Sequence, residues 1–212
     1  MSSWTDRLVA LLPAVFVERL GPPRPVRFAE EFGEVLMELA RASIERGLGG
    51  HEALTVDPYK YPRELRAKRS TFTTLKKDGQ LRGCIGTLDP RRPLVSDVAW
   101  SAYSAAYHDT RFPPLEREEY DGLTVEISIL APLREIHCES QDKLLAGLRP
   151  GVDGLVIRDS QRQASFLPSV WKGLPEPERF LAELKLKAGF TADHWSPDMR
   201  AWAFEVEEVG GG

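Results

Sequence analysis

TFTTLKKDGQLRGCIGT (residues 71–87) sets two strand-forming runs on either side of Asp78-Gly79. An Asp-Gly pair suits the two central positions of a tight hairpin turn, where the backbone needs positive φ. The pattern predicts that residues 71–75 and 80–85 pair as antiparallel strands. The second strand raises a question, because Gly83 and Gly86 flank Cys84. Glycine in an element interior costs about 0.5–1 kcal/mol relative to alanine. A tight turn, a close backbone approach or a thiol that must be reachable would each justify it. Side chains alternate along a strand, so Arg82 and Cys84 are expected on one face. A guanidinium there would favour the thiolate and lower the thiol pKa from about 8.5. The alternative is a small buried side chain at a turn, since free cysteine is among the most buried residue types.

Outward from the hairpin, residues 28–46 carry Phe28, Phe32, Val35, Leu36, Leu39, Ala40 and Ile44 at helical spacing, with Gly47 placed to stop the helix. Residues 47–62 read as loop. Pro93 opens a helix over 93–107, where Ala99, Ala102 and Ala106 permit close packing, and DTRFPP (109–114) ends it. LTVEISIL (123–130) alternates as a strand, with Val125, Ile127 and Ile129 on one face. A short helix near 140–148 follows, then strands at 154–158 and 163–167 about a polar turn. A helix over 176–188 is stopped by Gly189, and 201–209 reads as one last strand. Strict βαβ alternation is absent, which points to α+β with mixed or antiparallel sheets. Residues 1–27 read as an arm: an apolar run, LVALLPAVFV (8–17), then the stiff break GPPRP (21–25). The run is too short to span a bilayer, which takes about 20 residues, and is read as a helix docking on a domain or on a second subunit. Residues 28–209 form the body and 210–212 a glycine tail.

The chain of 212 residues is 42% hydrophobic and 28% charged, the balance of a globular domain with a real core. A net charge of −4 argues against nucleic-acid binding by bulk charge. Two cysteines, Cys84 and Cys138, are too few for a disulfide scaffold and are not spaced as a zinc site, so a reducing cytoplasm fits best. HEALT (51–55) lacks the second histidine of the zinc-protease motif. His137 and Cys138 would point to opposite faces of a strand. GCIG and GVDG are too short for a dinucleotide loop, and there is no P-loop. No cofactor, metal or membrane is expected. RELRAKR (63–69) reads as a solvated basic surface.

HDTRF (108–112) follows a helix C-terminus. His108 could serve as a base, with Asp109 orienting it or binding Arg111. The competing reading is a helix cap, a local Asp–Arg pair and Phe112 in the core. Glu126 sits mid-strand on a polar face, either as a general acid or base lining a cleft or on a solvated face.

Taken in order, FTTLKKDGQLRGCIGTL, AYSAAYHDTRFPPL, LTVEISIL, GVDGLVI, FLPSVW and LKLKAGF resemble the AMMECR domain family, whose bacterial and archaeal members are called AmmeMemoRadiSam system protein A. The resemblance covers about residues 28–207. It implies an α+β fold of two unequal, interlocked subdomains and no established activity. It implies as partners a Memo-like protein and a radical S-adenosylmethionine protein. The signature falls on Leu81 to Thr87, a second block on Asp109, Arg111 and Phe112, and a third on Leu167, Pro168 and Val170. Ser70 stands where relatives carry glycine, which puts the start of the first hairpin strand in question.

Residues and resemblance together single out Arg82, Cys84, Asp109 and Arg111 as a cleft-lining set, with Glu126 beside them. Two readings follow. In the favoured one the chain is a binding or adaptor module: Gly83 and Gly86 make a turn, and Arg82, Arg111 and Glu126 meet a partner. In the other it is an enzyme, with Cys84 as nucleophile or redox thiol, Arg82 activating it, Arg111 holding an anionic substrate through two parallel hydrogen bonds, and Asp109 orienting Arg111. A homodimer through the apolar arm is a further expectation, because a lone helix of that length is marginal.

Overall fold

The computed structural model describes residues 27–137 and 139–211, so the expectations for the arm and for Cys138 lie outside the described residues. The chain forms two units. Residues 27–130 and 207–211 make the first, and residues 131–206 are inserted between them as the second. The fold is α+β, as expected.

In the first unit, α1 (Phe28–Leu48) buries Phe32, Leu36, Leu39 and Ile44, the helical stripe read from the sequence. It runs past Gly47, which is not its stop. A Cβ on Gly47 would lie 2.1 Å from the ring of Tyr107, and the Tyr107 hydroxyl donates to the Ile44 carbonyl at 2.7 Å. Glycine is there so that an aromatic ring can lie on the helix. The predicted loop that follows holds a 3-10 turn, Pro58–Lys60, and the basic stretch after it opens with the short α2 (Arg63–Arg66). Within this basic stretch, Leu65 is fully buried and Arg66 donates to the Tyr61 carbonyl.

The hairpin is β1 (Thr71–Lys77) and β2 (Gln80–Gly86), with Asp78 at φ 51° and Gly79 at φ 75° in the turn. β1 begins directly after Ser70, whose carbonyl accepts from the Leu130 amide at 3.0 Å. Then come α3 (Leu94–Tyr107), α4 (Arg117–Tyr120) and β3 (Leu123–Leu130). The sheet order is β2-β1-β3-β8, where β8 is Val206–Gly210, so β2 and β8 are its edges. Gly210, read as tail, belongs to this strand. α1 and α3 pack on one face, where Leu75, Val125 and Ile127 join Leu36, Leu39 and Val98 in the core. The same face carries a buried polar seam: Thr71 donates to Asp97 through its amide (3.0 Å) and hydroxyl (2.8 Å), and Thr73 bonds Ser101.

The second unit has β4 (Arg134–Ile136), α5 (Gln141–Ala146), β5 (Gly154–Asp159), β6 (Arg162–Phe166), a 3-10 turn at Pro168–Lys172, α6 (Pro177–Lys187) and β7 (Arg200–Phe204). All pairings in its sheet, β4-β7-β5-β6, are antiparallel. Its core centres on Phe180, Leu181 and Leu184 with Leu155, Ile157 and Ala201. The ring of Trp171 stacks on Phe180 at 3.8 Å. The expected last strand, 201–209, is two strands in two different sheets. The chain leaves one sheet at Glu205, whose carbonyl accepts from the Ala131 amide at 2.9 Å, and joins the other at Val206. The three-residue β4 was not anticipated. Neither was the change of phase at Ala203-Phe204, both buried, which marks the switch.

Candidate functional site

β2 is an edge strand, and an edge presents unpaired backbone groups. The segment after α3 covers it. Asp109 Oδ2 accepts from the Cys84 amide at 2.8 Å. The Arg111 guanidinium donates to the Cys84 carbonyl at 3.3 Å. Asp109 and Arg111 are locked to each other through Nε–Oδ1 at 2.9 Å and NH2–Oδ2 at 2.7 Å, with the Arg111 amide adding a bond at 3.2 Å. A side-chain ion pair thus does for Cys84 what a neighbouring strand would do: it takes one N–H and supplies one donor to one C=O. Arg111 beside it holds the Asp109 carboxyl well below the usual carboxylate range, against the opposing effect of burial. The Asp109 side chain is 4% exposed and the Arg111 side chain 55%.

Arg82 is elsewhere engaged. The pairing runs Leu75–Gly83 and then Lys76–Leu81, so Arg82 is the extra residue of a β-bulge. A bulge resets the alternation on which the shared-face expectation for Arg82 and Cys84 depended. The Arg82 side chain binds Glu119 through two parallel bonds, Nε–Oε1 at 2.7 Å and NH2–Oε2 at 2.8 Å, and NH2 also donates to the Pro113 carbonyl. It is 92% buried, and its guanidinium lies 5.8 Å from the ring of Phe112. Hydrogen bonding from Arg82 draws the Glu119 pKa down to about 2. Glu119 also closes a capping box on Glu116 at the start of α4. Sequence reasoning missed Glu119. The Glu-rich start of α4 was its only signal, and nothing local assigns one carboxylate of that run to Arg82.

The two glycines answer the question raised by the sequence. A Cβ on Gly83 would lie 2.1 Å from the Ala105 carbonyl oxygen, so α3 crosses β2 with backbone against backbone. A Cβ on Gly86 would lie 2.2 Å from the Thr71 carbonyl oxygen of its own partner strand. Close approach is the reason, and neither glycine has a positive φ. The small residues of α3 make that approach feasible from the helix side.

Cys84 lies between these contacts and is half-buried. The Thr74 hydroxyl, directly across the ladder, donates to Cys84 Sγ at 3.3 Å and is its one hydrogen-bond partner among the described residues. Thr74 in turn pairs across β3 with Glu126. Glu126, Thr74 and Cys84 therefore form a row over three strands, with Cys84 and Glu126 about 10 Å apart at two strand spacings. Glu126 is bound by Lys76 at 2.7 Å. His108 caps α3: its amide donates to the Ser104 carbonyl and its ring meets Tyr103 edge-on at 5.1 Å. The structure brings Cys84, Asp109, Arg111 and Phe112 into one contact set, joins Arg82 to it through Phe112, and leaves Glu126 two strands away. Among the described residues no cluster of three or more His, Cys, Asp or Glu side chains is arranged to hold a metal, and no helix is long and apolar enough to cross a membrane.

Residues 37–209 match the model of the AMMECR1 family. The chain belongs to the AMMECR1 family. A protein of Methanothermobacter thermautotrophicus is 37% identical over 179 residues, covering 82% of this chain and 92% of its own length. One of Thermococcus kodakarensis is 38% identical over 192 residues, covering 85% and 91%. The crystal structure of an uncharacterised protein from Pyrococcus horikoshii superposes with a TM-score of 0.76 at 36% identity, over 84% of this chain and 90% of that one. LRGCIG (81–86) and DTRF (109–112) are one device here. The second block seals the open edge of the first, and glycine lets α3 and β1 close around it.

Proposed function

We propose that the chain is a binding module that presents the sealed β2 edge, with Arg111 outermost, to an acidic surface of a partner protein. One observation carries this reading. The charged groups here are paired with carboxylates or guanidinium groups, Arg82 with Glu119 and Asp109 with Arg111, and Cys84 Sγ contacts a threonine hydroxyl rather than a base. Nucleophilic catalysis needs the thiol within reach of a base that is itself oriented. Recognition needs a cation held in a fixed pose, and Asp109 holds Arg111 so, while leaving it half exposed. The Memo-like and radical S-adenosylmethionine proteins implied by the family resemblance are the proposed partners, in the cytoplasm.

The test is co-purification with those two proteins. Arg111→Glu is expected to abolish the complex and Arg111→Gln to weaken it about tenfold. Cys84→Ser is expected to leave it intact. Each variant is checked for folding by circular dichroism. Loss of the complex in a folded Cys84→Ser protein, or wild-type binding by Arg111→Glu, overturns the proposal.

A further inference from the structure

The basic run RELRAKR (63–69) lies outside the sealed β2 edge, and the fold enlarges it. Lys68 forms an antiparallel bridge with Pro93, and the Leu94 amide donates to the Ala67 carbonyl at 2.9 Å. These bonds bring Arg91 and Arg92 beside Lys68 and Arg69. With Lys60 the patch holds seven cations. Its two stretches, 57–69 and 89–92, contain three carboxylates, Asp57, Glu64 and Asp89, so the surplus is four positive charges in a chain of net charge −4. The rest of the chain therefore carries −8.

The cations differ in how far they are neutralised. Arg91 is bound by Asp89 at 2.7 Å, and Arg92 by the buried Asp97 at 3.4 Å. Among the described residues no carboxylate forms an ion pair with Lys60, Arg63, Arg66, Lys68 or Arg69. Arg66 is nonetheless held in place: it donates to the Tyr61 carbonyl at 2.7 Å and to the Tyr59 carbonyl at 3.4 Å. Neutral acceptors orient the guanidinium without cancelling its charge. They also brace the 3-10 turn at Pro58–Lys60, where Asp57 accepts from the Tyr59 amide at 3.0 Å. At the centre of that turn the Tyr59 side chain is 81% exposed, with the Arg66 guanidinium 5.6 Å from its ring. Tyrosine and arginine are the residue types that carry much of the binding energy at protein interfaces. Here both stand in water on a braced turn.

We propose that this patch binds an acidic segment of a partner protein, with its carboxylates on Arg63, Arg66 and Lys68 and an apolar or aromatic side chain against Tyr59. The charge of the remaining chain favours a short acidic segment over nucleic acid. A polyanion running past the patch meets the surplus of eight negative charges, and a segment of a few residues does not. The surface shares no residue with the Arg111 edge, so this inference does not rest on the function proposed above.

The experiment is a titration of the full chain followed by amide NMR. The probes are a synthetic peptide of Asp and Glu around one central Trp and, separately, oligouridine. The peptide is expected to shift amides at 59–69 and 91–94, and the shifts should weaken with added salt. Arg63→Glu/Lys68→Glu should weaken peptide binding at least about tenfold, and Tyr59→Ala about threefold or more. Lys172→Glu, an exposed cation of the second unit, should bind as wild type. Each variant's own spectrum reports its folding; should the charge-reversed variant fail to fold, Tyr59→Ala decides, because its side chain lies mostly in water. Unchanged affinity in the folded charge-reversed variant or in Tyr59→Ala overturns the proposal. So does a titration without shifts up to about 1 mM peptide, or one whose shifts centre on Cys84 and Arg111. Oligouridine bound at the same amides more tightly than the peptide also overturns it, because the patch then reads nucleic acid.

Discussion

Asp109→Ala isolates the seal on the β2 edge. The substitution removes the acceptor of the Cys84 amide and the two carboxylate oxygens bound by the Arg111 guanidinium, which keeps only its bond to the Cys84 carbonyl. A backbone N–H bonded to a carboxylate contributes about 1.5–3 kcal/mol, and that amide would lose its partner on a half-buried edge. Arg111 is more than half exposed, so the ion pair itself adds only about 0.2–1 kcal/mol. The expected loss is about 2–4 kcal/mol, and less for Asp109→Asn, which keeps one acceptor. The pH dependence carries a sign. The folded carboxyl sits below the ordinary value of 3.8, so the unfolded chain binds the extra proton between the two values. The stabilisation is then present above about pH 4 and fades as pH falls through the folded pKa. Urea unfolding read by pulsed hydrogen exchange on peptides from β1 to β3 scores the first unit by itself. A loss under about 1 kcal/mol at pH 7, or a wild-type advantage that persists undiminished at pH 2, refutes the idea that this pair closes the edge.

Gly83→Ala drives a methyl group to 2.1 Å from the Ala105 carbonyl oxygen, a backbone atom that cannot swing away, so about 3 kcal/mol should be lost and thermal unfolding should come markedly earlier. Normal stability in that variant would remove close approach as the reason for the glycine. Glu119→Gln leaves Arg82 buried without its counter-charge; with Glu119 drawn from 4.5 to about 2, roughly 2–3 kcal/mol should be lost at pH 7, shrinking toward nothing near pH 2 in denaturation experiments. Lys185 is fully buried, bonded to Gln141 and the Ala192 carbonyl, and burial lowers its pKa below 10.5. The unfolded chain therefore holds the proton longer, and stability of the second unit should rise as pH climbs toward 10.5. Lys185→Met should abolish that rise and leave stability at pH 7 equal or up to about 2 kcal/mol higher, and a larger loss would show that the ammonium is needed.

Local chemistry made much of this molecule legible. Asp78-Gly79 determined the hairpin, because few residue pairs accept positive φ twice in succession. The spacing of Phe32, Leu36 and Leu39 determined α1, and the alternation of Val125, Ile127 and Ile129 determined β3, because a buried face must repeat with the period of its backbone. The signature itself was enough to identify the family. Contacts between residues distant in sequence were not legible. The bulge that takes Arg82 out of phase with Cys84 depends on the register with β1. Glu119 is one of several neighbouring carboxylates until the fold brings it against Arg82. The second half of 201–209 looks like a continuation of the first, and only the competition between two sheets for its backbone hydrogen bonds splits it at Glu205. Gly83, Gly86 and Gly47 announced that something comes close. That the something is the carbonyl of Ala105, the strand at Thr71 and the ring of Tyr107 was decided by tertiary packing, because a glycine records the space it leaves and not what fills it.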